Sequence, residues 1–226
     1  YRDYSNSDYG TAVVGAVTGT SITFGTPVVF ESASTPYIGT TFDTNNNAVA
    51  ISYVDGGNSN YGTAVVGTVT GGGTNSISFG TPVVFETANS TYNSATFDSD
   101  SNKVVISYAD GGNSGHGTAI VGTVSGTAIS FGTAVVFEAA NSLWVSSAFD
   151  SDANKVNSNY GTAIVGTATG SYTMTFGTAA VFAAADTDYS VATFDSGSNK
   201  VFIAFRDEDN SSYGTAIVGT VSGTAI

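Results

Sequence analysis

Tyr61-Gly-Thr-Ala-Val-Val-Gly67, then Phe79-Gly-Thr81, then Phe97-Asp98: these three landmarks decide how the chain is read. The first recurs with its leading glycine at Gly10, Gly62, Gly117, Gly161 and Gly214. The second begins at Phe24, Phe79, Phe131 and Phe176, and the third at Phe42, Phe97, Phe149 and Phe194. The step from the second landmark to the third is 18 positions in all four copies. A fixed period of about fifty residues marks a modular array in which each unit buries its apolar face against its neighbours. The chain of 226 residues is thus one repeat domain, divided approximately at 1–36, 37–91, 92–143, 144–188 and 189–226. The first and last segments are partial and overlap in content.

Each full copy has four stretches of strand chemistry separated by turn residues. In one copy they are Tyr37–Asp43, Ala48–Val54, Tyr61–Val69 and Ser76–Glu86. The connectors are rich in Asn, Asp and Gly, which accept left-handed backbone or bond their own amides. Val, Ile, Thr, Phe and Tyr dominate the strands, and no stretch keeps a helical period. Four antiparallel strands per unit define a β-propeller blade, so the expected fold is an all-β propeller with about four repeats present. The runs Val49–Tyr53, Val104–Tyr108 and Val201–Phe205 are apolar on both faces, as strands sandwiched between blades would be.

The hairpin FDSDSNKVVISY (Phe97–Tyr108) resembles the first hairpin of kelch, Asp-box and related propeller blades over about a dozen residues per repeat. As a whole the pattern resembles the highly repetitive repeats of phage tail-fibre and bacterial surface proteins. That resemblance implies an extracellular, cell-surface or virion setting and brings no catalytic motif with it.

Two irregularities bear on architecture. From Phe42 to Gly62, Phe97 to Gly117 and Phe194 to Gly214 the step is 20 positions, but from Phe149 to Gly161 it is 12. The missing stretch corresponds to Val105–Gly112, which predicts either a three-stranded blade or an omitted piece of a longer chain. Residues 205–226 also repeat residues 1–22 in phase, with Arg206 answering Arg2. Completion of one blade from both termini would give four blades and leave a surplus third strand, available for self-association along its edge.

The chain carries 5 Lys and Arg against 18 Asp and Glu, a net charge of −13. That disfavours nucleic-acid phosphates and anionic lipid, both of which need a cationic surface. No cysteine is present, so disulfides and thiolate metal sites are absent. No apolar run reaches the roughly 20 residues that span a bilayer, so membrane insertion is not expected. The opening YRDYSNSDYG is polar and unlike a secretion signal.

Two sets of residues are candidate sites. One aromatic precedes each Phe-Asp landmark by five positions: Tyr37, Tyr92, Trp144 and Tyr189. Aromatic faces beside Asn and Asp can stack on sugar C–H faces while amides and carboxylates bond the hydroxyls. Packing between units is the competing reading, since it also needs one large residue per repeat. The second set is the turn after the landmark: Asp43, Asn45 and Asn47; Asp98, Asp100 and Asn102; Asp150, Asp152 and Asn154. Oxygens at i, i+2 and i+4 begin a calcium loop, but the glycine and distal glutamate of an EF-hand are missing. The same spacing caps free amides in a tight turn, and the turn is the preferred reading. Calcium is the one cofactor the pattern brings forward.

Enzymatic chemistry has little to stand on. The single histidine, His116, occupies a slot filled elsewhere by Tyr9, Tyr61, Tyr160 and Tyr213. A triad needs a base beside a nucleophile, and a sialidase-type site needs three arginines where only Arg2 and Arg206 exist. Glu31, Glu86 and Glu138 end successive units, but Ala183 takes the matching place in the next. The expected function is non-enzymatic binding or display, with glycan or surface polysaccharide as partner. The alternative is a purely structural array or fibre segment.

Overall fold

The structure is a computed structural model that describes residues 1–70, 75–151, 155–159, 161–169, 173–183 and 187–226. Among these the fold is all-β and antiparallel, interrupted by a single 3-10 turn at Gly111–Asn113. The first unit holds β1 (Arg2–Asp3), β2 (Tyr9–Ala12), β3 (Gly15–Thr18), β4 (Ser21–Phe24) and β5 (Val28–Ser34). The second adds β6 (Gly39–Asp43), β7 (Ala48–Asp55), β8 (Tyr61–Thr70) and β9 (Ser76–Phe79). Then come β10 (Val83–Asp98), β11 (Lys103–Asp110), β12 (His116–Ser125), β13 (Ala128–Phe131) and β14 (Val135–Asn141). The fourth unit has β15 (Ser147–Asp150), β16 (Lys155–Asn159), β17 (Thr162–Thr169), β18 (Thr173–Phe176) and β19 (Ala180–Val181). The last has β20 (Thr187–Asp195), β21 (Lys200–Asp207) and β22 (Tyr213–Gly219).

The fourth strand expected at Ser76–Glu86 is in fact two strands that share one partner. The far half of β8 pairs with its own hairpin return β9 (Gly67↔Phe79, Thr70↔Ser76). Its near half pairs with the start of β10 (Val83↔Ala64, Glu86↔Gly62). The break falls at Gly80-Thr81-Pro82, and it recurs without a proline at Gly132-Thr133-Ala134, where β12 divides between β13 and β14, and at Gly177-Thr178-Ala179, where β17 divides between β18 and β19. The glycine is required by close packing: a Cβ at Gly80 would lie 2.1 Å from the carbonyl oxygen of Thr127 in the next unit's hairpin turn. Gly25 and Gly177 meet Asn75 and Thr224 in the same way, each at 1.9 Å. The repeated Phe-Gly-Thr landmark is therefore a seat for the neighbouring unit.

After pairing with β8, β10 continues across the 91/92 boundary and pairs with β11 (Ser94↔Ser107 through Asp98↔Lys103). One strand thus closes one unit and opens the next.

The shortened copy keeps its second strand. Asn157, Ser158 and Asn159 lie in β16, where Asn157 pairs Val165 and Asn159 pairs Ala163. What the shorter copy loses is the Gly-Gly-Asn connector and three residues of strand, five in β16 against eight in β11. Completion of a blade from both termini does not occur in the pairing. β1, β2 and β5 form one sheet and β20, β21 and β22 another. The expected partner edge of β21 is already taken by β22, its neighbour in sequence, whose closure costs less chain entropy.

Packing between units follows one scheme. The sheet face of a unit receives the hairpin of the unit after it: Ala64 and Val66 cluster with Val124, Ile129 and Phe131. Val105, Ala119 and Val121 cluster with Ala168, Met174 and Phe176. Ala163 and Val165 cluster with Val221 and Ile226. Val49–Tyr53 and Val104–Tyr108 are covered on both faces, as their composition predicts; Val201–Phe205 alternates, with Phe202 and Ala204 exposed.

Candidate functional site

The four aromatics lie together. Ring centroids step 5.0 Å from Tyr37 to Tyr92, 4.9 Å from Tyr92 to Trp144 and 4.3 Å from Trp144 to Tyr189. The rings are tilted on one another, which matches the packing reading for their shared edges. Tyr37 and Tyr189 at the two ends are nevertheless exposed, and Tyr92 and Trp144 are only partly covered.

Backbone geometry sets this row apart. Tyr37, Tyr92, Trp144 and Tyr189 have φ of 53°, 55°, 54° and 54°. Left-handed backbone is unusual for a bulky side chain and persists only where the surroundings impose it. The register of β10 on β11 slips between Thr91 and Ser94, and that of β20 on β21 between Asp188 and Val191. Tyr92 and Tyr189 therefore sit on bulges, a device that re-aims a side chain, while Tyr37 and Trp144 sit in bends just before β6 and β15. Sequence reasoning finds the aromatics by period but not the bulge, because no glycine or asparagine advertises the left-handed residue.

Both ends of the row carry an arginine. Arg206 bonds Asp188 Oδ2 at 2.8 Å, pairs with Glu208, and lies 5.2 Å from the centroid of the Tyr189 ring. Trp144 Nε1 donates to Asp188 Oδ1 at 2.8 Å, so one carboxylate links Trp144 to the arginine that lies over Tyr189. At the other end Arg2 bonds Asp8 at 2.8 Å and lies 4.9 Å from the Tyr4 ring. A cavity of about 470 Å³ opens there, lined by Tyr1, Arg2, Tyr4, Thr35, Pro36, Tyr37 and Ile38. Asp188 and Arg206 were legible as departures from the repeat, since Pro36, Thr91 and Leu143 hold the place of Asp188.

The Asp-Asn turns fold as turns. Asp43 Oδ1 accepts from the amides of Asn45 and Asn46, each at 2.9 Å, and Oδ2 from Asn46 Nδ2 at 2.8 Å. Asp98 accepts from the amides of Asp100 and Ser101 at 3.0 and 2.9 Å, and from Ser101 Oγ at 2.6 Å. Asn47 and Asn102 supply left-handed backbone at φ 51° and 57°. Asn45 Nδ2 reaches Asn102 Oδ1 at 3.1 Å, tying adjacent turns together. Among the described residues no group of three or more His, Asp or Glu side chains could hold a metal. Asp150 is buried, and Asp152 and Asn154 lie outside the described residues.

The glutamates that end units are structural. Glu31 accepts from Tyr53 Oη at 3.3 Å, and Glu86 from Tyr108 Oη at 3.1 Å, each across a unit junction. Burial first, and the Asp55 or Asp110 carboxylate second, hold Glu31 and Glu86 above the ordinary glutamate pKa. Where Ala183 replaces the glutamate, Phe205 replaces the tyrosine, 5.1 Å from the Phe182 ring. The residue 22 positions after Glu138, matching the spacing of Glu31 to Tyr53 and Glu86 to Tyr108, is Tyr160, which lies outside the described residues.

No helix among the described residues is long and apolar enough to cross a membrane. Comparison with protein-family models and with curated proteins returns no match.

Proposed function

We propose that the chain is a non-enzymatic binding module for glycan or surface polysaccharide, displayed outside the cell or on a virion, and that the aromatic row is its binding surface. The observation that carries this reading is the row's geometry: four aromatics in one row, all held in strained left-handed backbone. Packing alone needs a large side chain at these places but not a costly backbone, and such strain concentrates at ligand sites. A step of about 5 Å between rings favours one continuous strip over separate shallow sites. That step is comparable to the length of one pyranose, so the ligand is an extended chain lying along Tyr37, Tyr92, Trp144 and Tyr189. The cavity beside Tyr37 has the size of a small-ligand pocket and receives the chain's end.

The units are propeller-type blades in this proposal. Support comes from the continuous passage of β10 from the last strand of one unit to the first of the next, and from first strands that touch through side chains. Ser147 N donates to Ser94 Oγ at 3.0 Å and Ala192 N to Ser146 Oγ at 3.0 Å, each between neighbouring first strands. Calcium has a place only if the Asp-Asn turns open, since their leading carboxylates already bond their own amides.

A glycan array with wild-type protein and the Tyr92→Ala/Trp144→Ala double variant tests the reading, each run in calcium and in EDTA. Selective binding that the double variant loses while its β-sheet circular dichroism persists is the expected result. Unchanged binding by the variant removes the row from the site.

A further inference from the structure

The charges around the aromatic row limit what can lie on it. The chain's five cationic side chains are Arg2, Lys103, Lys155, Lys200 and Arg206. The three lysines belong to the far end of the first strands. Lys103 pairs in register with Asp98, Lys155 with Asp150 and Lys200 with Asp195. Those aspartates lie six positions beyond Tyr92, Trp144 and Tyr189, about 20 Å along a strand. The two arginines nearer the row are both engaged: Arg2 bonds Asp8, and Arg206 bonds Asp188 and pairs with Glu208. Among the described residues the row thus meets two arginines and three carboxylates, which leaves negative charge in excess.

One of those carboxylates belongs to the row itself. Asp188 accepts from Trp144 Nε1 at 2.8 Å across a unit junction, and its charge also acts on the Tyr92 hydroxyl. Burial first, and Tyr37 second, hold that hydroxyl above the ordinary tyrosine range, so Tyr92 keeps its proton. The faces of aromatic rings are electron-rich and attract a cation placed within about 6 Å of the ring centre. Arg206 makes this contact inside the molecule, 5.2 Å from the centroid of Tyr189. The place of Arg206 is held by Val54 and Ala109 in the two earlier copies, so neither Tyr37 nor Tyr92 receives a cation from that position. Tyr92 and Trp144 have a neighbouring aromatic on each side and are still partly exposed.

We propose that the row takes a cationic polysaccharide, a chain of amino sugars with free ammonium groups, and that Asp188 selects its charge. This rests on the row being a glycan surface and names the class of sugar that surface takes. A neutral polymer gains only stacking and hydrogen bonds on the rings. An amino-sugar polymer adds one ammonium per sugar, which matches ring steps of 4.3 to 5.0 Å and finds electron-rich faces with Asp188 beside them. An acidic polysaccharide meets the excess of carboxylates and a chain charge of −13, and is repelled.

Calorimetric titration of the chain with a glucosamine oligomer and with its N-acetylated form tests the proposal, in mildly acidic buffer where the free amines are protonated. Acetylation removes the charge and keeps the sugar. The proteins are wild type, Asp188→Asn and Tyr92→Ala/Trp144→Ala, each checked for fold by circular dichroism. Wild type is expected to bind the free-amine oligomer about tenfold more tightly than the acetylated one, the size of a cation–π contact with a carboxylate nearby. Asp188→Asn still offers an oxygen to Trp144 Nε1, and is expected to erase that preference without weakening the acetylated oligomer. Equal or weaker binding of the free-amine oligomer overturns the proposal, and so does an undiminished preference in Asp188→Asn. A preference kept by the aromatic double variant assigns it to overall charge and overturns the proposal too. A lysine oligomer that binds as tightly as the amino sugar has the same force, since it brings charge without a sugar face. If neutral glycans bind the row as well as charged ones, the glycan reading stands and only its narrowing fails; an array on which no glycan binds removes both.

Discussion

Replacing Tyr108 by phenylalanine removes one oxygen from the junction between the second and third units. Tyr108 is fully buried, and its hydroxyl donates to Glu86 at 3.1 Å. The ring itself stays in place, because Phe205 occupies the equivalent position beside Phe182 much as Tyr108 does beside Phe85, 5.2 Å away. A hydrogen bond to a charged group contributes about 1.5–3 kcal/mol, and the half-buried Glu86 puts this one near the lower end, about 1.5 kcal/mol. Glu86→Ala leaves the Tyr108 hydroxyl buried without its acceptor, at a similar cost. The double variant rebuilds the pair found at Ala183 and Phe205, so it is expected to cost about 1–2 kcal/mol less than the two single changes added. Urea titration of the four proteins, followed by circular dichroism, measures this coupling. Additive effects would refute the inference that the recurring glutamate and tyrosine form one inter-unit bond.

Four further outcomes are expected. Gly117→Ala puts a Cβ within 2.5 Å of the Phe137 ring, whereas the equivalent Gly214 has nothing within 4 Å; Gly117→Ala is expected to cost about 1–3 kcal/mol by overpacking and Gly214→Ala almost nothing, compared by urea midpoints. Gly80→Ala meets the Thr127 carbonyl and should lower the melting temperature more than any surface change. Asn93 is buried with neither amide atom partnered, while Ile38 and Val145 hold the same place; Asn93→Val is expected to raise stability by about 1–2 kcal/mol, and a fall would show that its amide has work to do. Glu31 and Glu86 are held above the ordinary glutamate pKa, so the folded state binds their protons more tightly than the unfolded chain. Their contribution to stability is greatest below the unfolded pKa and falls as pH rises through the raised folded one, so Glu86→Gln should gain relative to wild type between pH 4 and pH 7.

The period of the landmarks made the units, the strand content and the double-sided burial of Val49–Tyr53 and Val104–Tyr108 legible. It also found all four aromatics, since a repeat must place equivalent residues in equivalent positions. The break at Gly80-Thr81-Pro82 and the shared partnering of β8 were not readable, because the same break falls at Gly132-Thr133-Ala134 without a proline and goes with the docking of the next unit. Asn157-Ser158-Asn159 reads as a connector by propensity and folds as a strand, since tertiary pairing with Val165 and Ala163 overrides local preference. The left-handed aromatics lay beyond any sequence rule, as no glycine or asparagine marks their positions and the bulges at Tyr92 and Tyr189 are set by slips of β10 on β11 and of β20 on β21. The glutamate and tyrosine pairs became visible only with coordinates, though the joint change to Ala183 and Phe205 was present in the repeats throughout.

Trp144 is the chain's single tryptophan and stands inside the aromatic row, bonded to Asp188 and packed on Tyr92 and Tyr189. Its emission therefore reports directly on the proposed surface, and the decisive measurement is a fluorescence titration with an extended polysaccharide that the glycan array selects. Saturable quenching or a spectral shift, abolished by Tyr92→Ala, is expected if the ligand lies along the row. Binding by calorimetry with no change in Trp144 emission would place the ligand elsewhere and contradict the reading.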